Sequence, residues 1–230
     1  DLEDVDIALT PGSGKSLLVF VHGLGGDITT FGNFPKYLHY LGDVDCWPFV
    51  YSSTLTKADD LYYVAKYLGN RILQSGRASV VFVAHSLGGL VVRKLLAEVS
   101  RLRSFRELAL RTRLVALFAS PTTGSSLAGL AKFLPYGLHH PHIAALQKST
   151  GELAQLNDAW EDWCQENSDC EILKFYGTSD GVVPVADASA GPGEGIPVLE
   201  ADHSSIVKPT NPNDYVVVEL TARIKKKLFN

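Results

Sequence analysis

Residues 82–96 read FVAHSLGGLVVRKLL. The stretch 79–85, SVVFVAH, is β-branched and aromatic and reads as a strand, and SLGGLVVRKLLAEVSRL (86–102) reads as a helix. Ser86 lies at the junction. Serine is a favoured N-cap, so capping alone would account for it there. A cap does not require small residues on both sides, however, and here Ala84 precedes the serine by two positions while Gly88 and Gly89 follow it. That is the strand–turn–helix setting of a nucleophile elbow, in which a sharp turn lifts a serine hydroxyl above the sheet and small neighbours let strand and helix approach. The common pattern is G-x-S-x-G; here Ala84 replaces the first glycine, and a methyl is still small enough for the turn.

The same alternation continues on either side. SLLVFVHG (16–23), VDCWPFVYS (44–52), RLVALFAS (113–120), EILKFYG (171–177) and IPVLEAD (196–202) read as strands. Residues 29–42, 57–76 and 214–228 read as helices, the second carrying Leu61, Val64, Ala65 and Leu68 at helical spacing and closing at Gly76. Strands alternating with helices predict a parallel sheet covered on both faces, in one α/β domain over 1–230. Segment 121–165 interrupts the alternation with a helical insertion. Ligand sites of such sheets lie beyond the carboxyl ends of the strands, so this insertion is expected as a small helical cap over the site.

An acyl-transfer serine needs oxyanion donors, a base, and an acid that orients the base. The N–H of Leu87, directly after the serine, is one expected donor. The glycine-rich loop VHGLGGD (21–27) ends the first strand, and the N–H of Leu24 is the second. Asp180 follows strand EILKFYG in a turn and His203 follows IPVLEAD, so Ser86, Asp180 and His203 run in the order serine, acid, histidine. Asp187 is the alternative acid. Asp202 adjoins His203, but neighbours on an extended segment point apart. His22 is read as an anchor of the oxyanion loop, and His85 as packing or hydrogen-bonding beside the serine. Leu127, Leu130, Phe133 and Leu134, from LAGLAKFL in the insertion, are expected to bind the substrate. This chemistry requires no metal and no organic cofactor.

Bulk properties set bounds. The 230 residues are 46% hydrophobic with a formal net charge of −4, which gives no reason to expect a nucleic-acid partner. No run of eighteen apolar residues suggests a membrane span. The chain opens DLEDVDIALTPG and contains no Met, so a processed chain or a domain of a longer multidomain protein is expected. Cys46, Cys164 and Cys170 form no disulfide framework; a Cys164–Cys170 bridge is the alternative to free thiols, and free thiols favour a cytoplasmic setting. PGSGKS (11–16) resembles a phosphate loop but leads into a strand, not a helix, and Leu9 stands where the pattern needs glycine. HHPH (139–142) lacks helical ligand spacing and an adjacent carboxylate and reads as a polar turn. Arg101, Arg103, Arg106, Arg111 and Arg113 form a basic run, read as solvated surface, with contact to an anionic membrane surface or a partner as the alternative.

The segments HGLGGD, VAHSLGGLVVRKLL, ASPTTGSSLA, FYGTSDGVVP and EADHSSIVKPTNPNDY together resemble the α/β-hydrolase superfamily, in particular its serine-active-site-containing lipase-like branch, related to GPI inositol-deacylase-type lipases. The resemblance runs from about Ser16 to the C-terminal helix. Thr122 departs from it, since relatives carry histidine after that proline. The resemblance implies the α/β-hydrolase fold and a lipase or esterase acting on an acyl ester or lipid through Ser86, His203 and Asp180. It also admits a thioesterase or amidase with the same triad, and a lipase-like module of a larger defence or signalling protein.

Overall fold

A computed structural model describes residues 16–39, 41–42, 44–54, 57–58, 61–122, 126, 129–130 and 150–229. Six strands form one sheet: β1 (Ser16–Val21), β2 (Val44–Phe49), β5 (Val80–His85), β6 (Thr112–Phe118), β7 (Glu171–Gly177) and β8 (Glu194–Val198). Their order is β2-β1-β5-β6-β7-β8, and every pairing is parallel. A short antiparallel pair, β3 (Ser53–Thr54) and β4 (Lys57–Ala58), lies apart from it.

The central strands β1, β5 and β6 are buried on both faces, which is why they are almost wholly apolar, whereas the edge strand β8 is largely exposed. Along β1, Leu17, Val19 and Val21 enter one core and Leu18 and Phe20 the other. The first core lies under α2 (Leu61–Gln74), α3 (Leu87–Ala97) and α5 (Thr150–Glu166); the second lies under α1 (Phe34–His39) and α7 (Tyr215–Leu228). The described elements also include two short helices, α4 (Arg106–Arg111) and α6 (Val185–Ala188), and 3-10 turns at Val99–Arg101, Arg103–Phe105 and Ser205–Val207. Phe20, Phe82, Phe118 and Phe175 are fully buried, each worth roughly 1.5–3 kcal/mol in transfer terms.

Several boundaries differ from the sequence reading, three of them for a local reason that the structure shows. The helix expected from residue 57 begins at Leu61, because Lys57–Ala58 pair with Ser53–Thr54. The last strand ends at Val198 rather than 202. Glu200 takes a positive φ of 60° and donates its N–H to Thr178 Oγ1 at 2.9 Å, so the chain turns out of the sheet there and leaves Leu199 exposed. Residues 150–165 of the expected cap belong to α5, which packs on α3 with Leu153, Leu156, Trp160 and Trp163 buried in the body. Most of 121–149, HHPH included, lies outside the described residues.

All three cysteines are free. Arg101, Arg103, Arg106 and Arg113 are exposed, and Arg111 pairs with Glu107. Among the described residues no helix is long and apolar enough to cross a membrane.

Candidate active site

The segments that leave the carboxyl ends of β1, β5 and β8 line a cleft of about 290 Å³. Ser86 sits at the end of β5 with φ 54° and ψ −124°, a backbone conformation that L-residues adopt only under constraint. The constraint comes from close packing. A Cβ on Gly88 would stand 2.2 Å from the Val21 carbonyl oxygen, so α3 can start against β1 only with glycine at this position. Ala84, two positions before the serine, is completely buried.

His203 Nε2 lies 3.0 Å from Ser86 Oγ, and His203 Nδ1 lies 2.9 Å from Asp180 Oδ2. A carboxylate can only accept, so Nδ1 carries the proton and Nε2 is left to accept from the serine hydroxyl. Asp180 Oδ1 accepts the backbone N–H groups of Val182 and Val183 at 2.8 and 2.9 Å. Burial favours the neutral acid, but the bond from His203, its charge and these two N–H groups outweigh it and hold the carboxyl below the ordinary range. The Asp180 side chain is 1% exposed.

Two further histidines frame the site. His85 Nε2 donates to the His203 carbonyl at 2.7 Å, its ring centroid 4.9 Å from that of His203. Burial drives its pKa to about 3, so it remains a neutral clamp on the backbone that carries His203. His22 anchors the glycine loop. Its Nε2 accepts the Tyr51 N–H at 3.3 Å, which leaves the proton on Nδ1 to donate to the Gly23 carbonyl at 2.9 Å. Burial keeps its pKa below the ordinary value, which preserves this neutral form. The Tyr51 ring stacks on His22, its hydroxyl donates to the His22 carbonyl at 2.9 Å, and Ser53 Oγ donates to Gly23 at 3.1 Å. The loop so held passes hard against the serine: a Cβ on Gly23 would be 2.8 Å from Ser86 Cβ.

Ser86, His203 and Asp180 are therefore brought together, with Leu24 and Leu87 beside them. Leu130 is buried and lines the same cleft, whereas Leu127, Phe133 and Leu134 lie outside the described residues. Asp187 points elsewhere, its Oδ1 accepting from Thr122 N–H at 3.2 Å and lying within reach of Thr122 Oγ1. Asp202 caps the turn after it, accepting the N–H groups of Ser204 and Ser205 at 2.8 and 2.7 Å. The parts played by Tyr51 and Ser53 had no sequence signature, because they reach the loop from the far end of β2.

Residues 18–217 match the alpha/beta hydrolase family. The chain belongs to that family. It is similar to Protein SERAC1 of Homo sapiens, 28% identical over 178 residues, which span 70% of this chain and 27% of that protein. The Mus musculus protein matches at 28% over 166 residues, 65% of this chain and 25% of that one. The chain thus spans about a quarter of the length of the curated relatives it matches. Among solved structures it shares its fold with phospholipase PlaB from Legionella pneumophila, with a TM-score of 0.73 at 18% identity over 94% of this chain and 60% of that one. Bacillus licheniformis lipase BlEst2 in mature form gives 0.67 at 18% identity, covering 93% of this chain and 94% of that one.

Proposed function

We propose that this alpha/beta hydrolase is a serine hydrolase of carboxylic esters, with acyl lipids as its substrates. The observation that carries the reading is the continuous chain of hydrogen bonds from Ser86 Oγ through the His203 ring to Asp180, at 3.0 and 2.9 Å. Ser86 Oγ attacks the acyl carbonyl carbon while its proton passes to His203 Nε2. Asp180 holds the imidazole in the receptive tautomer and stabilises the imidazolium. The oxyanion is held by the N–H groups of Leu24 and Leu87; the latter is the first residue of α3, where N–H groups have no partner within the helix. His203 then protonates the leaving alcohol, the C–O bond breaks, and water activated by the same imidazole releases the acid from Ser86.

Lipid substrates are supported by the apolar side chains of Leu24, Leu130 and Val207 along the cleft, and by the lipase and phospholipase names of the structural neighbours. Ser86→Ala tests the assignment. It should fold as the wild type, lose about 10⁴- to 10⁶-fold in ester hydrolysis, and no longer react with a fluorophosphonate probe. A variant that keeps a few per cent of the wild-type rate, or a wild type that the probe leaves unlabelled, would remove Ser86 from the role.

A further inference from the structure

A second cleft, of about 210 Å³, opens between α3, α5 and the connection from β7 to β8, and shares no lining residue with the serine cleft. Two cations are buried in its wall, Arg93 at 2% and Lys174 at 4% exposure. Arg93 donates to Asn157 Oδ1 and, at 3.4 Å, to the Pro121 carbonyl, while its Nε has no partner. Lys174 Nζ donates to the carbonyls of Ser189, at 2.7 Å, and Gly191, which leaves one N–H over. Ser120, in the same wall, packs its hydroxyl against Gly89 of α3, out of reach of the cleft.

A buried charge is costly unless an opposite charge answers it. Arg93 has such an answer at two removes. Asn157, which accepts from Arg93, donates to the Thr122 carbonyl at 3.0 Å, and Thr122 is bonded to the Asp187 carboxylate. Lys174 has only carbonyl oxygens, and Glu161, the acidic residue of this cleft, lies exposed at its rim. Burial lowers the Lys174 ammonium from its ordinary value, an effect that a bound anion reverses. The wall therefore holds an ammonium that meets only carbonyl oxygens, N–H groups to spare on Lys174 and Arg93, and the side chains of Leu117 and Trp160.

We propose that this cleft binds a small ligand through an oxyanionic group, a carboxylate or a phosphate, held by Lys174 and Arg93 with its carbon portion against Trp160. The site stands apart from the hydrolytic reading and does not depend on it.

The test is a titration of ¹⁵N-labelled protein with inorganic phosphate and, separately, with butyrate, at ionic strength held constant with chloride. The indole N–H resonance of Trp160, assigned with Trp160→Phe, is the reporter. A saturable shift with either anion is expected, and its source is read from which anion acts: phosphate alone marks a phosphate ester, butyrate alone a carboxylate. Lys174→Gln should weaken the binding by about tenfold or more, with unchanged circular dichroism. Should that variant fail to fold, Arg93→Lys, which keeps the charge but removes the guanidinium donors, should weaken it severalfold. No saturable response of Trp160 to either anion overturns the proposal, and so does unchanged affinity in a folded Lys174→Gln or Arg93→Lys.

Discussion

Replacing Asp180 by asparagine should stop the proposed chemistry without disturbing the shape of the site. The two backbone donors decide how the amide sits. Val182 and Val183 both direct N–H groups at Oδ1, at 2.8 and 2.9 Å, so the amide oxygen must take that place and the amide nitrogen must face His203. An NH₂ group cannot accept the Nδ1 proton. The imidazole therefore moves its proton to Nε2, where it confronts Ser86 Oγ with a donor and can no longer take the serine's proton. A triad locked in the wrong tautomer loses about 10⁴-fold in kcat, which is about 5 kcal/mol of transition-state stabilisation. KM should barely move, since the cleft walls are untouched. Asp187→Asn is the matched control. Its carboxylate answers Thr122, so its effect on hydrolysis should be small. Both variants should be compared with wild type on a short p-nitrophenyl ester, with thermal melts to confirm folding. A loss below tenfold in Asp180→Asn, or an equal loss in a folded Asp187→Asn, would refute the reasoning.

Gly88→Ala should destabilise the protein by about 1–3 kcal/mol in urea denaturation, because the new methyl meets the carbonyl oxygens of Val21 and His22 at 2.2 and 2.5 Å and neither backbone can retreat cheaply. His22→Ala should lower kcat by about 10²-fold and leave ester hydrolysis slow even at saturating substrate, because the Gly23 loop loses the bond that aims it. Acid should weaken the fold through Asp180. Its folded pKa lies below the unfolded value of 3.8, so its contribution is present above that value and disappears as pH falls through the folded one. Urea midpoints taken across that acid range should fall further for the wild type than for Asp180→Asn.

The elbow was legible because its chemistry is local: a strand, a serine and two glycines within a few residues. Asp180 and His203 were legible by a weaker signal, chain order together with their places just past strands. The sheet followed from apolar runs that parallel strands require. What the sequence withheld depends on contacts across the chain. Nothing near Thr122 announces Asp187, 65 residues on, and Lys174 within EILKFYG reads as the polar interruption of a strand rather than as a buried ammonium. The helix α5 was merged into a cap because its apolar residues show that it packs, not where. The end of β8 was overrun because Glu200's positive φ is imposed by Thr178, a partner 22 residues earlier.

Ser86 meets His203 across 117 positions of sequence, and His203 is placed only after β8 has joined the sheet. Contacts of such separation form late, since long loops must close first. A chain that has assembled only β1, β2, β5 and β6 holds the serine in its turn without His203. On the proposed mechanism, the nascent protein carries an unarmed serine until its last strand docks. In refolding, ester turnover should lag behind the return of secondary structure, so that the appearance of activity times the completion of the sheet.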